Sequence, residues 1–296
     1  MRASLEFFSH TNLFRWAVPL ALLMGACTFI GEDRTPASYQ SFSRRQDLKQ
    51  ANEIRASLEF PIGEMELDAL PEGDKSAYQV NIEYNQNRYE PDLEASGESA
   101  IDFRFNLRQL KGSIGSNDRN RGEFRFSRNV PLDLHVKTGV GENRIDLTNL
   151  KIRDLTLISG VGEVKVTVTA PNREVCHNVE LKSGVGEFSA LGLGNLNIQD
   201  LRFVGGVGEA NLDFTGDWTR DASLDLKVGI GAINVVLPTS VGAEVRASKN
   251  FLTGLSLRDF QKESSDTYRS NNYDKAAHRL SFEVKSGIGA VEFRWK

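Results

Sequence analysis

Glutamate is the side chain that could do chemistry here, because it recurs at a fixed place in a repeated motif. Glu142, Glu163, Glu187 and Glu209 each close a run of glycine, aliphatic residue, glycine and glutamate. Two residues before the first glycine of successive runs stand Lys137, Ile158, Lys182, Val204 and Lys227, so lysine alternates with an aliphatic residue. Carboxylates repeated in this way could hold a divalent cation, pair with the lysines, or stand solvated with no role. Like charges stacked about 4.8 Å apart repel unless they are countered. Alternating lysines, each able to serve two glutamates, favour a charge ladder of Glu142, Glu163, Glu187, Glu209, Lys137, Lys182 and Lys227. Acidic repeats that bind calcium recur every nine residues and combine glycine with aspartate. Here one glutamate arrives per 21 to 24 residues, so no metal and no cofactor are expected.

Other chemistry is missing from the sequence. It holds no Gly-x-Ser-x-Gly elbow, His-Glu-x-x-His, Cys-x-x-Cys or Walker motif. Cys176 and His177 are adjacent, and neighbours on a strand point to opposite faces, so they cannot act as a couple. A glycan-active β-helix would need paired carboxylates at one groove position, and no such cluster stands out. No catalytic residue is assigned, and the expectation is a protein that is not an enzyme.

The elements that carry the motif are strands. Gly139-Val140-Gly141, Gly160-Val161-Gly162, Gly184-Val185-Gly186, Gly206-Val207-Gly208, Gly229-Ile230-Gly231 and Gly287-Ile288-Gly289 have first glycines 21, 24, 22, 23 and 58 residues apart. A period near 22 suits one coil of a solenoid. Flanking stretches such as Leu132-Asp-Leu-His-Val136 and Val164-Lys-Val-Thr-Val168 alternate apolar and polar, the period of a strand with one buried face. The glycines between them predict a bend that needs positive φ or close backbone approach. One coil cannot bury its own apolar face, so stability comes from the stack. Leu157, Leu181, Phe203 and Leu226 line one predicted interior row. The 58-residue interval predicts partial coils plus an exposed loop, and Phe293 to Lys296 a strand that caps the stack.

The fold class is therefore all-β, a stacked β-solenoid over 128–296 preceded by a smaller β region over 53–127. Residues 27–52 are polar without a sustained apolar period and read as a flexible tether. Residues 1–26 place Arg2 and Arg15 before a short apolar run from Ala17 to Ala26. Ten residues are too few to span a bilayer. Met24-Gly25-Ala26-Cys27 resembles the lipobox of bacterial lipoproteins, which implies a signal peptide over 1–26 and lipidation of Cys27. An uncleaved anchor and a misassigned start are the alternatives. The expected location is the cell envelope, at the outer membrane or facing the periplasm in a diderm host.

Composition closes off other partners. The chain has 36 basic against 40 acidic side chains in 296 residues, a formal charge of −4. Without a cationic field, nucleic acid is excluded as a partner.

The Gly-Φ-Gly-Glu spacing, where Φ is aliphatic, the upstream Ile62-Gly63-Glu64-Met65 and the late stretch from Tyr273 to Phe282 resemble the bacterial toast-rack family of β-solenoids. That family is similar to the C-terminal domain of LiaF-like cell-wall stress proteins and to adhesin head domains. The resemblance implies a lipid-anchored scaffold or envelope-stress interaction module, meeting the membrane through its lipid and an envelope protein or cell-wall partner. The alternative it implies is an adhesin-like ligand-binding head.

Overall fold

A computed structural model describes residues 37–110, 118–248 and 253–296. The predicted leader, Cys27 and the start of the tether lie outside the described residues. The described residues form one unit. Its strands begin with β1 (Tyr39–Asp47), β2 (Glu53–Ala69), β3 (Ser76–Asn85), β4 (Tyr89–Ser96), β5 (Ala100–Gln109) and β6 (Arg121–Phe126). Long strands follow: β7 (Pro131–Asp146), β8 (Lys151–Thr167), β9 (Cys176–Leu191), β10 (Ile198–Asp213) and β11 (Ala222–Leu237). Short ones come next, β12 (Gly242–Ser248), β13 (Thr253–Leu257), β14 (Phe260–Lys262) and β15 (Thr267–Ser270), before β16 (Arg279–Trp295).

Each long strand is one solenoid coil bent in the middle. In β8, Leu155, Leu157 and Ser159 are buried before the bend and Val164 and Val166 after it. The buried set changes from odd to even positions, which a straight strand cannot do. The Gly-Φ-Gly motif is that corner, and it divides every coil into two legs whose apolar faces meet across the core. Coils β2, β7, β8, β9, β10, β11 and β16 stack in parallel with the corners in register. The predicted row holds: Leu157 pairs with Leu181, Leu181 with Phe203 and Phe203 with Leu226, all fully buried. Return turns are pinned by asparagines missed in the sequence, such as Asn172, whose amide donates to the Ile152 and Leu196 carbonyls at 2.6 and 3.0 Å.

The region over 53–127 is not separate from the solenoid. β2 is itself a coil, continuous through the corner, and is registered on β7 from Ile54↔Leu132 to Leu67↔Ile145. Beyond it the two legs part company. β5 extends the first leg and carries β4, while β6 extends the second and carries β3. Phe103 and Phe105 of β5 meet Phe126 and Phe124 of β6 with ring centroids at 5.3 and 5.0 Å, plugging the open end of the core.

Two further expectations are corrected. Residues 39–47 of the predicted tether form β1, antiparallel to β3. Its side chains are mostly exposed, so no apolar period announces it; the unpaired backbone edge of β3 supplies its bonds. The C-terminal strand, read as a terminal cap, lies inside the stack: β16 pairs with β11 on one side and with β12 and β13 on the other. It carries the full glycine motif and so continues the corner, whereas β12 and β13 together supply only a split coil that ends the stack.

Candidate functional site

The corner repeats in register from coil to coil. Its two glycines are required for different reasons. Gly162 has φ +132° and a Cβ there would lie 2.0 Å from the Gly141 carbonyl oxygen of the coil below. Gly160 has no positive φ, but its Cβ would still come within 2.6 Å of the Gly139 carbonyl oxygen. Positive φ and close approach, treated as alternatives in the sequence, therefore act together at the second glycine.

The aliphatic residue between them faces solvent. Val140, Val161, Val185, Val207, Ile230 and Ile288 are registered neighbours and are 41 to 50% exposed. They form a ridge about 24 Å long at a coil spacing of about 4.8 Å. Neither its existence nor its exposure was read from the sequence. The signal was present: Leu157 and Val164 are an odd number of residues apart, so the alternation must slip inside the motif and turn an aliphatic side chain outward.

On the second-leg side of the ridge the expected glutamates line up. Glu142, Glu163, Glu187 and Glu209 are registered in sequence, and Glu64 of β2 precedes them as a fifth member. The row ends at Ala232 and Ala290. On the first-leg side stand Lys137, Lys182, Lys227 and also Lys285. The two rows do not pair with each other. Lys137 lies 3.9 Å from Glu59, Lys182 2.7 Å from Glu180, Lys227 2.5 Å from Asp225 and Lys285 2.5 Å from Glu283. Three of these carboxylates sit two residues earlier on the same face of the same strand, within reach without crossing the corner. The glutamates find other partners or none. Arg144 donates to Glu142 at 3.0 Å and Asn234 to Glu209 at 2.8 Å, while among the described residues Glu163 and Glu187 have no partner.

Among the described residues, the Cys176 and His177 neighbours do not form a reacting couple. Among the described residues no three His, Cys, Asp or Glu side chains stand close enough to hold a metal ion. Cys176 is fully buried and burial pushes its thiol pKa up, away from the reactive thiolate, while His177 points outward to Gln199 at 3.2 Å. One ionic cluster is structural: Arg153, at a register shift between β7 and β8, donates to both Asp133 oxygens at 2.8 and 2.5 Å and lies 3.0 Å from Glu53, tying three coils together. Those two carboxylates hold its guanidinium pKa above the ordinary arginine value.

The family model for the N-terminal domain of toast_rack, DUF2154, matches residues 34–189 and 170–236. The chain belongs to the toast-rack family. The toast-rack match takes in β1 through β10, most of β11 and five of the six ridge residues. Solved structures similar to the chain include a candidate cell adhesion protein from Clostridium sporogenes, 18% identical over 88% of this chain and 100% of that one, with a TM-score of 0.47. A candidate adhesin from Bacteroides fragilis is 14% identical over 87% and 99%, with a TM-score of 0.33. Another from Parabacteroides distasonis is 11% identical over 86% and 97%, with a TM-score of 0.36. No curated protein matches the sequence significantly.

Proposed function

We propose that this toast-rack chain is a non-enzymatic contact module of the cell envelope, held at a membrane by lipid on Cys27, with the corner ridge as its contact surface. The observation that carries this reading is the row of six exposed β-branched residues in one register. Exposed aliphatics scattered singly need no explanation, whereas a contiguous apolar strip marks an interaction site. The corner glycines lock the ridge to the backbone, so little freedom is lost when a partner covers it. The Met24-Gly25-Ala26-Cys27 lipobox supports the anchor.

Two measurements test the reading. Intact mass of the membrane fraction should give a chain that starts at an acylated Cys27; a product that retains residues 1–26 sinks the anchor. A photocrosslinking residue at Val161 or Val185 should give discrete protein adducts in whole cells, and one at Lys165, on the exposed second-leg face, should not. Absence of adducts from the ridge overturns the contact surface.

A further inference from the structure

The two flanks of the ridge differ in charge, and that asymmetry selects an occupant. Glu64, Glu142, Glu163, Glu187 and Glu209 run along one side, and Lys137, Lys182, Lys227 and Lys285 along the other, with Ile158 and Val204 between the lysines. Resting on the ridge as a contact surface, we propose that its partner is a second copy of this chain, packed ridge to ridge about a two-fold axis parallel to the stack.

Symmetry decides the orientation. A two-fold axis along the stack keeps each coil at its own height and exchanges left with right, so Glu142 and Glu187 of each copy face Lys137 and Lys182 of the other, Glu163 and Glu209 face Ile158 and Val204 one coil from the nearest lysines, and only Glu64 meets a like charge, Glu59. An axis perpendicular to the stack would set glutamates against glutamates, and like charges directly opposite are destabilising. Glu187, which has no partner among the described residues, then acquires Lys182, and Glu163, likewise without one, comes within one coil of Lys137 and Lys182. Lys137 and Lys182 can turn to them, because their present pairs with Glu59 and Glu180 are partly exposed and such pairs are weak. Val161 meets Val161 and Val185 meets Val185, an isologous contact of the kind that closes on itself. Coil spacing is the same in both copies, so the match persists along the ridge. An anionic lipid surface is a poorer occupant, since the glutamate row would lie against it.

The size of the strip sets the strength. A ridge about 24 Å long and five residues wide, about 16 Å at a strand's rise, covers roughly 400 Å² in projection per copy. That falls in the class of small, transient interfaces, so the dimer should be concentration-dependent with a dissociation constant of micromolar order.

The experiment uses the full chain in its own membranes, with Val140→Cys or Ile288→Cys introduced singly and a short bismaleimide added. These positions are 41 and 49% exposed and lie at opposite ends of the ridge, whereas Cys176 is fully buried. The wild-type chain sets the background from Cys27. Each variant should link to itself several-fold above that background, and a tagged mixture of the two should give no mixed product. Linkage only between position 140 and position 288 overturns the parallel arrangement, as does no linkage at all. Glu163→Lys with Glu187→Lys should reduce self-linkage at position 140 about tenfold while leaving the melting temperature unchanged; undiminished linkage removes the charge argument and the proposal with it. Photocrosslinks from Val161 to a different protein, without cysteine linkage, overturn the second copy but leave the contact surface standing. No ridge adduct of any kind overturns both.

Discussion

The first coil and the middle coils turn the same corner by different means. In β8 to β11 the corner is closed above and below by the backbone of neighbouring coils, which demands two glycines and turns the aliphatic residue out. At β2 the first glycine is replaced by Pro61, and the next coil is replaced by Asn120. That residue is 1% exposed; its amide nitrogen donates to the Ile62 carbonyl at 3.2 Å, its backbone oxygen accepts from Glu64 N–H at 2.9 Å, and its side-chain oxygen accepts from Asn85 N–H at 3.0 Å. Ile62, the counterpart of the ridge residues, is only 8% exposed against their 41 to 50%. The glycine requirement is thus a consequence of stacking, whereas an outward aliphatic residue is not required by the corner. At the β2 end of the stack, the same side chain is covered.

The comparison is broken most forcefully at the second glycine. Gly162→Val combines a left-handed φ with a collision against backbone that cannot move, and should cost more than about 3 kcal/mol or abolish folding, read from urea or thermal midpoints. Gly73→Ala is the control: Gly73 has φ +81° but open space around its missing Cβ, so it should lose only about 1 kcal/mol. Equal losses at the two sites would show that backbone strain alone, without stacking, sets the requirement.

Asn120→Ala tests the side chain that stands in for a coil. It leaves buried backbone groups of Ile62 and Asn85 without their partners and should cost about 1–3 kcal/mol. A neutral result would mean that water replaces the amide freely and that the first corner is not sealed.

A smaller effect belongs to β1, at the same end. Asp74 accepts from Ser76 N–H at 2.8 Å and from Arg45 of β1 at 2.9 and 3.1 Å. The Ser76 backbone bond, with Arg45, holds its carboxyl pKa below the usual value. A carboxyl lowered on folding stabilises the fold fully above its unfolded pKa of about 4, and that contribution is lost as pH falls through the lower folded value. Amide exchange in β1 should therefore accelerate below about pH 4 relative to the middle coils, and Asp74→Asn should remove that dependence.

The smallest change is expected on the glutamate row. Glu163→Gln removes a charge that has no partner among the described residues and stands between two like charges, so stability should stay the same or rise by a few tenths of a kcal/mol. Added calcium should leave the melting temperature of the wild-type chain unmoved. A calcium-dependent rise that disappears in the Glu163→Gln, Glu187→Gln double variant would make the row a cation site.

Much of this was legible in local patterning. The strands, the period near 22 and the interior row of Leu157, Leu181, Phe203 and Leu226 follow from alternation and repetition, because burial on one face of a strand is written at every second residue. The corner glycines follow as well, since only glycine tolerates both the φ and the carbonyl one coil away. Tertiary structure alone decided what depends on which backbones lie side by side. It placed the lysines with carboxylates on their own faces, away from the glutamates across the bend. It added β1 to an edge through backbone bonds that leave no apolar signature, and inserted β16 ahead of β12 because the corner continues only through a coil with its glycines. It also left Val161 in solvent and buried Ile62, two β-branched residues at the same motif position whose exposure is set by their place in the stack.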